Sequence, residues 1–342
     1  MGDTRQSEMT VPCHFDAGSE LVVVENERVP ITFWPRRGND IVELQWRPLD
    51  LDFFWRDPQV EGGANPLAMP HAGGSEFYDT SHGGWLLSLL AGSYPRDYFG
   101  DRLGTLGEFC QLEWRITWTR AGAGGPVTVC FEASGARTPF HVMRKVTLDD
   151  NSDAFTLHTR ITNLGGQALP LACIEHALSG AKFFKGAALF SVASQILIVE
   201  DGRGEHAQLR AGTTNWPHAV EPGGALHDSR KPPVKGSEAE HLVVLDGWKE
   251  TRAGLQNAEL RLGLQLEWDS SPLPRAWVWA TGEGGNLYPV GGRAHVVDIK
   301  PANVVPIPFA REFVSKILPL LDSGTSFEMG LFGRFITSAP TA

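Results

Sequence analysis

The sequence predicts an all-β protein, and three observations carry that prediction. Short runs rich in β-branched and aromatic residues recur along all 342 residues, several with period-2 alternation. The 38 glycines and 23 prolines are spread along the chain, which leaves little room for long helices. The one convincing helical stretch, Phe309 to Leu318, is short and is ended by Pro319. Many strands with almost no helix imply a sandwich or barrel, and the lack of a repeat of about 20–50 residues counts against a propeller.

The strands are expected in order. Leu21 to Glu25, Ile31 to Trp34 and Ile41 to Trp46 come first. Cys110 to Thr119 alternates through Leu112, Trp114, Ile116 and Trp118, predicting one aromatic face. Val127 to Ala133 and Phe140 to Leu148 read as a hairpin-like pair. Phe155 to Asn163 is turned by Leu164-Gly165-Gly166. Leu260 to Trp268 is the cleanest alternation, and Ala276 to Ala280, His295 to Ile299 and Phe327 to Phe335 complete the set.

Composition sets the class. With 42% hydrophobic and 20% charged residues, this is a folding sequence, not a disordered one. A chain this long buries roughly three quarters of its unfolded surface, so no disulfide or metal staple is needed. One domain over 1–342 is expected, with about 1–19 as an N-terminal extension. Residues 201–240, rich in Gly, Pro, His and charge, are expected to form a surface excursion of the binding-loop or lid kind. A net charge of −10 without any Lys/Arg run argues against nucleic acid. Cys13, Cys110, Cys130 and Cys173 lie far apart with no zinc-type spacing, so buried reduced thiols and no metal are expected. The first twenty residues hold no apolar leader core, and no run approaches about 18 apolar residues, so no membrane partner and a cytoplasmic location are expected.

Five landmarks carry potential chemistry, each with a plainer alternative. In His82-Gly83-Gly84-Trp85 the paired glycines permit close backbone approach or a tight turn. His82 and Trp85 are the candidate sugar contacts there, although residue chemistry favours a core role for one Trp among 11. Gly107-Glu108 reads only as a turn before a strand. Glu175 and His176, as neighbours in an extended segment, point to opposite faces and form no local dyad. A His at a strand end suits proton transfer, while the ordinary alternative is a satisfied core imidazole. Asp246-Gly247-Trp248 is a loop glycine followed by an aromatic. Asp298 and Lys300, at i and i+2, share a strand face and can form an ordinary ion pair.

The order of these landmarks is more specific than any one of them. A Gly-Gly-Trp segment precedes Gly107-Glu108 and Trp114. The Leu157-to-Gly165 strand and turn leads into Glu175-His176-Ala177-Leu178-Ser179-Gly180. Asp246-Gly247-Trp248, Leu262-to-Asp269, Pro272-to-Trp279, Asp298-to-Asn303 and Leu321-to-Glu328 follow. From about residue 20 to 337 this succession resembles the galactose-mutarotase-like (aldose 1-epimerase) superfamily. The resemblance implies a β-supersandwich of two large twisted sheets with a small-molecule carbohydrate site on a concave face. It implies no metal or nucleotide cofactor.

In that family a carboxylate takes the anomeric hydroxyl's proton while a His protonates the ring oxygen; the ring opens, turns about C1–C2 and recloses. By resemblance His176 matches the ring-oxygen acid, Trp248 an aromatic of the sugar-contacting loop, and Asp246 falls near it. Two positions depart. Leu106 stands where a second His is usual, and Lys300, before Pro301, stands where the general base is usually Glu. Lys300 or Asp298 would then replace the base, or Lys300 would select an acidic sugar by charge, with Arg96 and Arg144 as further clamp candidates. Three functions compete: an epimerase acting on a modified or acidic sugar, a carbohydrate-binding protein without the base, and a lyase or hydrolase. The last needs one of Tyr78, Tyr94, Tyr98 or Tyr288 within reach of His176.

Overall fold

The computed structural model describes residues 13–16, 21–57, 83–90, 96–98, 101–104, 106–120, 125–180, 182–184, 188–199, 208–284, 292–304 and 318–337. Among them are 26 strands, no α-helix and a single 3-10 turn, Arg47–Leu49. The expected helix from Phe309 lies outside the described residues.

Two sheets hold most strands. The 12-stranded sheet runs Cys13–Asp16, Leu21–Glu25, Pro30–Trp34, Asp40–Trp46, Trp85–Leu89, Cys173–Ser179, His295–Ala302, Arg275–Gly282, Glu240–Asp246, Ile196–Val199 and Gly212–Asn215, with Leu51–Asp52 added beside Asp40–Trp46. The 8-stranded sheet runs Ala188–Val192, Arg252–Asn257, Leu262–Trp268, Ser326–Thr337, Ala154–Asn163, Phe140–Leu148, Val127–Ser134 and Arg115–Arg120. All the pairings are antiparallel, so alternate residues of each strand face the partner sheet. Aromatic pairs join the sheets across the core: Phe33 on Phe131 and Trp46 on Phe335, both at 4.9 Å, and Trp85 on Phe155 at 6.1 Å. Each such pair adds about 0.5–1.5 kcal/mol beyond the area it buries.

Two expected strands begin later than their alternation suggests. The aromatic strand starts at Arg115, not Cys110. Gly107 adopts φ +79° and packs so closely on Leu89 that an added Cβ would lie 1.8 Å from its carbonyl oxygen. The following turns carry Cys110 over the large sheet, while the amides of Gly38 and Trp114 bond to Leu112 and Pro35. Trp114 is thereby buried, whereas Trp118 on the sheet edge is 49% exposed. The second strand starts at Leu262, because Asn257 Oδ1 accepts the amides of Glu259 and Leu260 and closes a turn there.

Within 201–240, residues 208–240 carry the short strands Gly212–Asn215, His218–Val220 and Leu226–Asp228, and most of their side chains are partly or fully exposed. Cys110, Cys130 and Cys173 are free and buried. No helix among the described residues is long and apolar enough to cross a membrane.

Candidate functional site

The centre of the large sheet separates two sets of side chains by strand parity. Trp85, Leu87, Ala177, Val297 and Ile299 turn inward into the core between the sheets. The alternate residues Leu86, His176, Leu178, Asp298 and Lys300 turn outward. On this outer side Leu86, Leu106, Cys110 and Leu178 form a second apolar cluster, with Trp55 and Trp279 packed against it.

The inward set contains one charged group. Glu175 is fully buried, and its Oε2 accepts from Trp85 Nε1 at 2.7 Å and from Arg144 Nη2 at 3.0 Å. Burial pushes the Glu175 carboxyl up, opposed by Arg144 and Trp85. Trp85 is therefore a core residue that uses its N–H internally, and Arg144 is a structural ion-pair partner. Neither is presented to a ligand. The paired glycines before Trp85 serve backbone packing: Gly83 and Gly84, at φ +91° and +88°, lie against the carbonyls of Trp55 and Ile41.

The outward set brings three sequence-singled residues together. Register places Ala177 opposite Ile299 and Ile174 opposite Ala302, which sets Lys300 beside His176. Asp298 Oδ2 lies 3.3 Å from His176 Nδ1 and 3.1 Å from Lys300 Nζ, so one carboxylate oxygen serves both side chains. His176 is 7% exposed, and its Nε2 has no hydrogen-bond partner. Burial and the Lys300 charge hold the His176 imidazole below its ordinary range, with Asp298 opposing. Burial disfavours the charged form of Asp298, but Lys300 and His176 outweigh it and hold the carboxyl below the usual range. At neutral pH the imidazole is therefore neutral. The carboxylate fixes the proton on Nδ1 and leaves Nε2 a bare acceptor.

Trp55 and Trp279 join this face, and the sequence singled out neither. Trp279 pairs with Asp298 across the strands, its ring centroid lies 5.5 Å from Lys300 Nζ, and its Nε1 donates to Glu240 Oε1 at 2.8 Å. Trp277 and Trp279 stand at i and i+2 in sequence, a pattern that put them on one face without saying which face was outward.

The other candidates lie elsewhere. Asp246 accepts from Arg275 Nε at 3.1 Å, and Trp248 packs edge-on against the core residue Trp268 at 5.1 Å. Neither contacts the His176 group. Leu106 is buried in the outer apolar cluster. Arg96 belongs to the short strand Arg96–Tyr98, but its side chain, like the whole of His82, lies outside the described residues. The side chains of the four tyrosines lie outside them too, and Asp298 is the hydrogen-bond partner of His176. Among the described residues no group of three or more His, Cys, Asp or Glu could hold a metal ion.

Comparison with solved structures decides the architecture. A Klebsiella pneumoniae protein provisionally designated an aldose 1-epimerase superposes with a TM-score of 0.71 at 15% identity, over 94% of this chain and 80% of that one. The chain has the galactose-mutarotase-like fold. A galactose mutarotase-like protein from Lactobacillus casei matches with a TM-score of 0.60 at 14% identity, over 92% of this chain and 99% of that one. Another from Clostridium acetobutylicum matches with 0.58 at 11%, over 93% and 95%. By sequence, the chain matches no family model and none of the curated proteins. The mutarotase-like fold is thus kept at 11–15% identity to these proteins.

Proposed function

We propose that the outer face of the large sheet binds a cyclic reducing sugar and interconverts its anomers, with His176 exchanging a proton with the ligand. The observation that carries this reading is the state of His176: buried, fixed through Nδ1 to Asp298, and with Nε2 unpartnered. A buried imidazole nitrogen without a bond is costly in a finished core, and a ligand hydroxyl would satisfy it. Trp279 and Trp55, half-buried against the outer apolar cluster, supply aromatic surface suited to the apolar C–H face of a pyranose.

The charge pattern favours a neutral sugar over an acidic one. Lys300 is already balanced by Asp298 at 3.1 Å, so it offers little unpaired charge to a uronate or phosphate. Asp298 in turn is engaged by both His176 and Lys300, which makes it an orienting group and not a base facing His176 across a sugar.

A second reading is binding without turnover, favoured by the apolar surroundings of Leu106 where the family carries a His. NMR anomer exchange over neutral aldoses and uronates separates the two. The expected result is acceleration on a neutral aldose that His176→Ala lowers by about 100-fold or more. Saturable binding without acceleration supports the second reading. Folded protein that neither binds nor accelerates any sugar overturns both.

A further inference from the structure

The resemblance assigns His176 as the acid and leaves the base to Lys300 or Asp298. The geometry points to the reverse polarity. We propose that His176 Nε2 is the proton acceptor of this face and the Lys300 ammonium its proton donor, with Asp298 holding both. This assignment rests on the ring-opening reading above and goes beyond it by naming the direction of proton flow.

The step balances as follows. Nε2 takes the proton of the anomeric hydroxyl, and O1 becomes the carbonyl oxygen of the open aldehyde. The C1–O5 bond breaks, its electron pair passes to O5, and O5 takes a proton from Lys300 Nζ. Rotation about C1–C2 and the reverse transfers close the ring as the other anomer and restore both side chains. O1 and O5 are both bonded to C1, so donor and acceptor need not stand on opposite sides of the sugar. Two groups held on one carboxylate oxygen, at 3.3 Å and 3.1 Å, can serve both atoms from one side.

Electrostatics supports this direction. Before the transfer the group consists of a lysine cation, an aspartate and a neutral imidazole. Afterwards it consists of a neutral amine, the same aspartate and an imidazolium. Net charge is unchanged, and the positive charge passes from one bonded partner of Asp298 Oδ2 to the other. A buried site thereby avoids the desolvation cost of creating or losing a charge. The family polarity with Lys300 as base would require the resting proton on the imidazole beside a neutral amine, against the ordinary order of affinities for lysine and histidine. With Asp298 as base it would use an oxygen already engaged by both partners.

Among the described residues, the neighbours that face His176 across its strand pairings add no further charge. Lys300 and Asp298 face it from the His295–Ala302 strand, Leu86 faces it from Trp85–Leu89, and Glu175 points through the sheet to Arg144. Burial and Lys300 keep the imidazole neutral.

The test uses the full chain and NMR anomer exchange on the neutral aldose that the wild type accelerates best. An acceptor His gives a rate that falls as pH drops through the His176 titration and is level immediately above it. A donor His gives the opposite limb, with the rate falling as pH rises. Lys300→Arg keeps the cation for Asp298 but does not release a proton near neutral pH. It is expected to lower the rate about 100-fold or more, and Lys300→Met is expected to do the same. Lys300→Glu, which restores the family's carboxylate, is expected to stay below wild type. A Lys300→Arg variant at wild-type rate, or a Lys300→Glu variant above it, overturns the assignment alone. No exchange by the wild type on any sugar overturns the ring-opening reading and this assignment with it. ¹⁵N shifts of the His176 ring supply a readout independent of turnover: Nδ1 protonated and Nε2 bare at pH 7 are expected, and a bare Nδ1 or an imidazolium overturns the proposal.

Discussion

Glu175 and His176 are adjacent in the chain and stand on opposite faces of one strand, each held by a charged partner. Glu175 reaches inward to Arg144 of the small sheet at 3.0 Å, and His176 reaches outward to Asp298 at 3.3 Å. The inward pair ties the two sheets together at the position where the outer face presents its imidazole. Core and candidate site are thus coupled through a single peptide unit.

Glu175→Ala leaves the Arg144 guanidinium, 2% exposed, buried without its carboxylate. A loss of about 3–5 kcal/mol is expected, the cost of an uncompensated buried charge. Replacing both residues by Leu should recover most of it. Guanidinium denaturation of the three proteins checks this, and a double variant no more stable than Glu175→Ala sinks the account.

Asp40 predicts a pH dependence. Burial lifts its carboxyl from 3.8 to about 7, against the pull of Arg37 and Arg144. Between those values the folded state holds a proton that the unfolded chain has released. The Asp40 contribution to stability therefore falls as pH rises through that window, by roughly 1.4 kcal/mol per unit. Asp40→Asn is neutral throughout, so its stability relative to wild type should climb across the window and level off above it. Taking the difference between the two proteins cancels Asp298, whose carboxyl is shifted the other way. A flat difference profile contradicts the prediction.

Gly83→Ala places a Cβ 2.0 Å from the Trp55 carbonyl oxygen, at a φ of +91°. Strain and overlap together should cost about 2 kcal/mol or more and lower Tm measurably by calorimetry. Gly166→Ala, whose Cβ meets nothing within 4 Å, serves as the comparison and should change Tm little.

Trp279→Ala removes the aromatic surface beside Lys300 and should weaken sugar binding about tenfold, near 1.4 kcal/mol. Trp279→Phe keeps a ring but loses the 2.8 Å bond to Glu240, so an intermediate affinity is expected. Trp118→Ala, on the exposed edge strand Arg115–Arg120 of the other sheet, should leave affinity unchanged. Calorimetric titration decides, and equal effects at Trp118 and Trp279 rule out the platform role.

What the sequence by itself determined is what depends on two-residue periodicity. Strand after strand was legible from alternation, as were the opposite directions of Glu175 and His176 and the shared face of Asp298 and Lys300. Those relations are local, because a pleated strand sends successive side chains to alternate sides whatever surrounds it. Tertiary structure decided which side faces water. It turned Trp85 inward to Glu175, set Trp279 on the outer face, folded Cys110 to Trp114 out of the expected strand through the turn at Gly107, and buried Leu106 among apolar side chains. It also joined His176 to Asp298 across 122 residues of chain. Such pairings depend on register between distant strands, and register is fixed only when two whole faces pack. Alternation could say that Asp298 and Lys300 stand together; the assembled sheet put them both beside His176.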